Sequence, residues 1–244
     1  MKFTQEDINE LNKGFENSRP EDVLRWVLDE LHPEIALATS FQASGMVLID
    51  MLMNINPEAR IFTLDTGRLN QETYDIIDVV RGKYDTDIEV QFPDKEEVEE
   101  MVKQHGMNLF YRGKYKRLLC CQIRKTNPLN KMLKGLKGWI TSIRRDQTES
   151  RAETNRFEID ELHGGIIKVN PLIDWKEDEI WKYIRANNVP YNKLHDMGYP
   201  SIGCQPCTRA VKPGEDPRAG RWWWESDSEK ECGIHFDHNS VNSG

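Results

Sequence analysis

The strongest constraint on the fold is the regular alternation of short apolar segments with longer amphipathic segments between residues 35 and 104. Residues 35–39, 60–64 and 87–92 have the composition of buried strands. Residues 46–53, 71–83 and 95–104 have helical periodicity and follow these strands in turn. Strands that alternate with helices are typical of parallel α/β sheets. The sequence therefore predicts a sheet of this kind.

The flanking segments extend the same prediction. Thr4 with Asp7, and Ser18 with Glu21, have the form of capping boxes, which predicts two helices before the first strand. Residues 111–136 are partly helical, 138–143 form a strand, 156–159 and 165–169 a β pair, and 176–186 a helix. We predict an open, mainly parallel twisted sheet flanked by helices in a domain of residues 1–211. Periodicity is weak in residues 212–244, which we predict to be a flexible tail.

Charge and hydropathy exclude several classes of protein. The formal net charge of −8 argues against a general nucleic-acid-binding protein. No apolar run approaches the roughly 18 residues that a membrane span needs. The chain begins with polar and acidic residues, so we expect a soluble, cytoplasmic protein.

The basic residues are nevertheless concentrated in one region. Between Arg112 and Arg151 there are twelve Lys or Arg residues and two acidic ones. A basic region on an acidic chain suits a site that attracts a small, multiply charged anion. A solvated basic helix face is the ordinary alternative, and the cysteine pair inside this region weakens it.

Five cysteines give the most specific indication of chemistry. Cys120 and Cys121 are adjacent, and Cys204 and Cys207 are separated by two residues. A chain of this size folds without disulfides, and in a reducing compartment clustered cysteines are metal ligands or catalysts. The second pair alone is also compatible with a redox dithiol. Adjacent cysteines on a helix point about 100° apart, which favours a bulky iron–sulfur cluster over a single zinc ion.

Cys232 is the fifth cysteine and lies near His235 in the sequence. A thiol close to an imidazole is a candidate nucleophile. An incidental cysteine near the end of the chain is the alternative. The nearby run of three tryptophans, Trp222 to Trp224, is unusual for a tail and would anchor it either to the protein or to a partner.

Two loops follow the first two strands, at the sheet edge where parallel α/β proteins bind ligands. Residues 39–45 offer hydroxyls and N–H groups at a helix start, which suits a phosphate. Residues 64–69 offer a carboxylate, a hydroxyl and a guanidinium, which suits a ribose and a phosphate. A simple helix cap and an ordinary turn are the alternatives.

These motifs resemble those of the assimilatory sulfonucleotide reductases, in particular the iron–sulfur adenylyl-sulfate (APS) reductases. The similar motifs occur in family order at residues 40–42, 64–69, 116–125, 144–147, 202–208, 218–222 and 231–235. Ile234 stands where the family usually has leucine, which is a conservative difference.

The resemblance implies one 4Fe-4S cluster, held by Cys120, Cys121, Cys204 and Cys207. It implies that adenosine and the α-phosphate bind at Ser40, Phe41, Ser44, Leu64, Thr66 and Arg144. The sulfate would face Lys125, Arg218, Arg221 and His235.

The resemblance also implies the reaction. The Cys232 thiolate would attack the sulfur of adenosine 5'-phosphosulfate, and the resulting S-sulfocysteine would be resolved by thioredoxin or a glutaredoxin-like donor. The products would be sulfite and AMP, in sulfate assimilation and cysteine biosynthesis. We further expect a homo-oligomer.

Three alternatives remain open. A 3'-phosphoadenylyl-sulfate (PAPS) reductase shares the fold and the tail cysteine, but the cluster-free type lacks the four clustered cysteines. An ATP pyrophosphatase-type ligase or thiolation enzyme would use a related nucleotide-binding fold. A non-catalytic protein with a structural zinc ion would use the four cysteines alone.

Overall fold

The computed structural model describes residues 3–225 of the chain, which fold into two compact units. The first unit comprises Met1–Thr63, Gln71–Glu89 and Leu133–Asn192. The second comprises Leu64–Asn70, Val90–Met132 and the chain from Lys193 onward. The predicted domain boundary at residue 212 stays a prediction, because residues 226–244 lie outside the described part of the chain.

A sheet of six strands forms the framework, in the order β3-β2-β1-β4-β6-β5. The strands are β1 (Ile35–Ala38), β2 (Arg60–Leu64), β3 (Glu89–Gln91), β4 (Gly138–Ile140), β5 (Phe157–Asp160) and β6 (Ile166–Val169). β1 pairs in parallel with β2 and β4, β4 pairs in parallel with β6, and β5 runs antiparallel to β6. The predicted fold class is therefore confirmed. The third and fourth strands are shorter than the sequence pattern indicated.

Eight α-helices accompany the sheet in the described residues. They are α1 (Gln5–Gly14), α2 (Pro20–Leu31), α3 (Ala43–Ile55), α4 (Gln71–Tyr84), α5 (Lys95–His105), α6 (Lys114–Cys121), α7 (Asn127–Leu133) and α8 (Glu177–Ala186). Every predicted helix is present, with ends shifted by a few residues. The side chains of β1 and α3 are almost all buried. α3 is apolar around most of its circumference, which is typical of a helix inside a protein core.

The two predicted capping boxes have different outcomes. Thr4 does cap α1: its hydroxyl accepts from the Asp7 N–H at 3.2 Å, and its own N–H donates to the Asp7 carboxylate at 2.7 Å. The box at Ser18 is wrong, because α2 begins at Pro20 with Arg19 as its N-cap and no side-chain cap. Proline has no N–H to be capped and its fixed φ suits the first helical position, so the helix begins there.

A buried carboxylate joins three helices of the first unit. Asp50 on α3 accepts hydrogen bonds from the hydroxyls of Tyr84 at the end of α4 (2.7 Å) and Tyr183 on α8 (2.9 Å). Burial raises the pKa of both tyrosines, and the Asp50 carboxylate raises it further. The hydroxyls therefore remain protonated donors. This arrangement fixes the helices that cover the sheet.

The second unit contains the first part of the basic region found in the sequence, up to Met132, and the rest of that region belongs to the first unit. α5 precedes it, and α6 passes without a break into a π-helical turn, Gln122–Thr126, and then into α7. In the described residues no helix is both long and apolar enough to cross a membrane.

The close pairing of β4 and β6 leads to a stability prediction. A Cβ atom at Gly138 would lie 2.5 Å from Ile167 Cγ2 and 2.9 Å from the Ile167 carbonyl oxygen. Because the backbone of β6 cannot yield cheaply, we expect Gly138→Ala to lower the free energy of unfolding by about 1–3 kcal/mol.

Gly82 in α4 provides the control, since no heavy atom lies within 4 Å of the position that a Cβ atom would take there. Gly82→Ala should raise the free energy of unfolding by roughly 0.5–1 kcal/mol, through helix propensity alone. Urea denaturation measures both. Equal shifts in the two variants would show that the contact with Ile167 has no energetic role.

Candidate metal centre and anion site

Four cysteines line one recess in the second unit. Cys120 and Cys121 are the last two residues of α6, while Cys204 and Cys207 flank a single helical turn. All four side chains are buried. The recess has a volume of about 370 Å³, which includes space open to solvent. The structure thus brings together two pairs that are far apart in sequence.

The π-helical turn at Gln122–Thr126 begins directly after the adjacent cysteines. Here the Gln122 N–H reaches the carbonyls of both Leu118 and Leu119. A π turn inserts one residue into the helix and changes the direction of the side chains that follow. The helical backbone is therefore distorted immediately beside the two adjacent thiols.

The turn with Cys204 and Cys207 is held by hydrogen bonds from several segments. Its backbone bonds join Gln205 N–H to the Arg68 carbonyl at 2.8 Å and Trp222 N–H to the Cys207 carbonyl at 3.2 Å. The Thr66 hydroxyl lies 3.2 Å from the Cys204 sulfur. The thiols of this turn therefore have a defined position.

Cationic side chains surround the thiols. Arg68, Arg117, Arg124 and Lys125 line the recess together with the cysteines. The Arg124 guanidinium donates through Nη1 to the Thr66 carbonyl at 2.7 Å. Within residues 3–225, Arg124 Nε and Arg221 Nε are buried and have no hydrogen-bond partner. A buried donor of this kind indicates a missing acceptor.

Burial dominates the acidity of the thiols. It raises the pKa of Cys207 to about 12, with the neighbouring Cys204 adding to the rise and Lys125 and Arg221 opposing it. Burial also raises the pKa of Cys120, against the effect of Arg124. These thiols are therefore neutral at physiological pH unless a metal displaces their protons.

The residues of the recess suit an iron–sulfur cluster in their chemistry. Within residues 3–225, no three Cys, His, Asp or Glu side chains converge closely enough to hold a single metal ion. The four thiols instead line a shared recess, and the orphaned N–H of Arg124 offers a hydrogen bond of the kind that cluster sulfurs accept. The fit therefore rests on the donor set and on this unpaired N–H group of Arg124.

In the first unit, the loop after β1 has a strained backbone. Phe41 is fully buried with a φ of +55°, and its N–H donates to the Thr39 hydroxyl at 3.1 Å. A Cβ atom on Gly45 would lie 2.6 Å from that hydroxyl, so only glycine fits where α3 begins. Strain of this kind is concentrated at functional sites. Ser40 is exposed next to it.

Arg144 lies at the start of α3 in the same unit. Its guanidinium donates to the hydroxyl of Ser44, the second residue of the helix, and forms an ion pair with Asp146 at 2.8 Å. Arg144 is only 6% exposed. The positive N-terminal end of a helix repels a guanidinium. The guanidinium and the helix N-terminus together form a favourable site for an anion.

The predicted substrate residues have varied surroundings in the second unit. Leu64 is half-buried, Thr66 is buried against Cys204, and Lys125 lines the recess. Arg221 is buried with its guanidinium against the Trp222 ring. Arg218 is half-buried and does not line the recess. Cys232 and His235 lie outside the described residues, so their roles stay predictions.

Several residues of the recess were not among the predicted site residues. They are Arg68, Phe110, Arg117, Arg124, Pro206 and Trp222. Arg117 and Arg124 stand within the cysteine motif and Arg68 within the second loop, so motif position was a signal for them. Phe110 offered no such signal, because its place in the recess depends on tertiary packing.

Most of the chain is similar to a known protein family. Residues 34–210 match the model of the phosphoadenosine phosphosulfate reductase domain. The chain is 47% identical over 215 residues to the adenosine 5'-phosphosulfate reductase of Burkholderia cepacia, covering 88% of this chain and 86% of the relative.

Solved structures agree with the fold. A phosphoadenylyl-sulfate (PAPS) reductase from Candida auris, in complex with phosphate, is 30% identical with a TM-score of 0.74, covering 86% of this chain and 99% of that one. An FMN adenylyltransferase from Candida glabrata, at 12% identity and a TM-score of 0.55, covers 92% of this chain and 76% of its own, and shares the fold alone.

The position of Arg144 leads to a binding prediction. With AMP as the probe, we expect Arg144→Ala to weaken binding by about 10- to 100-fold, because a charge-assisted hydrogen bond to the phosphate is lost. Isothermal titration calorimetry measures the change.

Arg145→Ala is the matched control. Arg145 is the next residue, and it pairs with Asp174 and with the Thr154 carbonyl (3.0 Å) instead of the α3 start. AMP affinity should stay near that of the wild type. Equal losses in the two variants would show that the position of Arg144 at the helix start is irrelevant.

Proposed function

Because the chain belongs to the phosphoadenosine phosphosulfate reductase domain family, we propose that it is an oxidoreductase that reduces adenosine 5'-phosphosulfate (APS) to sulfite and AMP in sulfate assimilation. The observation that carries this choice is the recess lined by four buried cysteines and four cationic side chains. The names of the relatives at about 47% identity support the same substrate.

In the first unit, the proposed nucleotide contacts come from Ser40, Phe41, Ser44 and Arg144. Arg144 and the first N–H groups of α3 would bind the α-phosphate, while the rigid Phe41 turn fixes the loop beside it. In the second unit, we assign Leu64 and Thr66 to the nucleoside part.

Lys125, Arg218 and Arg221 would face the sulfate, together with His235. Attack of a thiolate on an anionic sulfate is opposed by charge repulsion. Cationic groups directed at the sulfate oxygens offset that repulsion and stabilise the phosphate that leaves.

The proposed reaction has three displacement steps. The Cys232 thiolate forms a bond to the sulfate sulfur, and the S–O bond breaks with its electron pair going to AMP, which leaves an S-sulfocysteine. A reduced thioredoxin thiolate then attacks the Cys232 sulfur and expels sulfite, and the second thioredoxin thiol resolves the mixed disulfide. The dithiol is thus oxidised to a disulfide while sulfate becomes sulfite.

Cys120, Cys121, Cys204 and Cys207 would hold a 4Fe-4S cluster. When bound, the cluster supplies a compact, polarisable charge that organises the surrounding cations. The hydrogen bond between Thr66 and Cys204 orients one of these thiols. Arg124 would place its unpaired N–H beside the same group.

Some parts of the proposal derive from the sequence resemblance alone. These are the use of thioredoxin or a glutaredoxin-like donor, the role in cysteine biosynthesis and the homo-oligomer, whereas the cytoplasmic location is proposed from the composition of the chain.

A PAPS reductase is the second candidate, favoured by the likeness to the Candida auris structure. The substrates of the two activities, APS and PAPS, differ by a single 3'-phosphate on the ribose. We rank it lower because the cluster-free enzymes of that type lack the four clustered cysteines.

The nucleophile prediction uses two cysteine substitutions with opposite expected effects. Cys232→Ser should abolish sulfite release and keep the visible absorption and iron content of the anaerobically purified protein. Cys204→Ser should lose iron and absorption, because one of four cluster ligands is missing.

Mass spectrometry gives an independent measurement. Protein mixed with APS and no reductant should gain one sulfo group on Cys232. Turnover of Cys232→Ser at the wild-type rate would overturn the nucleophile assignment, and a colourless wild type that contains zinc would overturn the cluster.

Substrate choice is tested by comparing turnover of the two nucleotides. We expect a kcat/KM for APS at least about 10-fold above that for PAPS, since each lost or repelled phosphate contact changes the barrier by more than about 1.4 kcal/mol. A preference for the 3'-phosphorylated nucleotide would support the second candidate instead.

A further inference from the structure

Arg117 is an unusual residue of the cysteine recess because it is completely buried. Its side chain is 0% exposed, and its partner Glu225 is 7% exposed. The guanidinium donates to the two carboxylate oxygens through Nε at 2.7 Å and Nη2 at 3.1 Å. Arg117 lies on α6, one turn before Cys120, so this ion pair ties Glu225 to the helix with the adjacent cysteines.

Trp222 connects the same ion pair to the other two cysteines. Its ring lies 4.3 Å from the Arg117 guanidinium and is only 1% exposed. The backbone N–H of Trp222 donates to the Cys207 carbonyl, and its side chain belongs to one buried cluster with Cys120, Cys204 and Cys207. Trp222 is therefore bonded to the turn that carries one cysteine pair and lines the same recess as both pairs.

We propose that Arg117, Trp222 and Glu225 form a thiol latch, which holds the two cysteine pairs at a fixed separation around the recess. The three residues are positioning residues for the group that the four thiols bind. This inference rests on the proposed metal centre only for the identity of that group.

The chemistry of the three side chains fits this role. A buried ion pair adds little net stability, but it imposes a defined geometry. Arginine presents a planar fork that binds a carboxylate through two N–H groups while its face stacks on an aromatic ring. Lysine offers only a point charge, so Arg117→Lys keeps the charge and loses the geometry.

The latch also gives separate roles to the three tryptophans. Trp222 lines the recess of the thiols, whereas Trp223 is 40% exposed and Trp224 packs edge to face against Tyr111 with the ring centroids 4.6 Å apart. The structure thus favours anchoring to the protein for the first tryptophan of the run.

The test compares Glu225→Gln and Arg117→Lys with Glu215→Gln. Glu215 pairs with Arg209 through two hydrogen bonds of 2.8 and 3.2 Å in the same unit, but both side chains are about a third exposed (29% and 33%). It is therefore a matched Arg–Glu pair that does not line the recess.

Two readouts are measured anaerobically. The first is the rate at which the purified protein loses iron to a chelator, followed by its visible absorption. The second is the rate at which a thiol reagent labels Cys120, Cys121, Cys204 and Cys207 in metal-free protein, resolved by peptide mass spectrometry. We expect both rates to rise by about 10- to 100-fold in the latch variants and to stay unchanged in Glu215→Gln.

Hydrogen exchange of β1 and β4 distinguishes a local effect from a general loss of stability. Exchange there should be unchanged in the latch variants if only the thiol pairs are released. Rates of labelling within about twofold of the wild type, or acceleration matched by faster exchange of the sheet, would overturn the latch.

The outcome is separable from that of the proposed function. If the wild type contains no iron, the cluster proposal fails, yet the labelling rates still decide whether the latch exists. If Glu225→Gln does not fold, Glu225→Asp decides, since it keeps the charge with a shorter reach and should accelerate labelling to an intermediate extent.

Discussion

A fully buried guanidinium constrains how the second unit can fold. Arg117 cannot remain inside the protein without a carboxylate, because an unpaired buried charge costs several kcal/mol. Glu225 meets that need from more than 100 residues further along the chain, and it brings Trp222 with it. The ion pair that neutralises Arg117 therefore also closes the chain around the cysteines.

The site combines two electrostatic demands that conflict when no metal is bound. Burial keeps Cys120 and Cys207 neutral, as their raised pKa values indicate, while Arg68, Arg124 and Lys125 place positive charge around the recess. The positive charge around the recess would be balanced once the thiols ionise around a metal. The Thr66 hydroxyl at Cys204 and the unpaired Arg124 N–H are hydrogen-bond donors arranged for that ionised state.

The sequence predicted the fold in most respects, because strands and helices of this chain have clear periodicities. Its errors have local causes: Pro20 displaced the start of α2 from the predicted Ser18 cap, and β4 ends at Ile140 where the pattern continued to residue 143. For the site, motifs identified the four cysteines. The recess itself was less predictable, since Phe110 enters it only through tertiary packing, and the hydroxyl of Thr66 contacts a thiol across 138 residues of sequence.

The π-helical turn after Cys121 has a consequence for how such a site can change over generations. One extra residue sets the angle between the cysteine pair and the arginine and lysine that follow it, Arg124 and Lys125. Loss of that residue would restore regular α-helix and rotate the two groups by about 100° relative to each other. No single substitution produces such a rotation. An insertion or deletion therefore changes the angle between thiols and cations in whole-residue steps, which makes it a discrete character of the lineage and not a graded one.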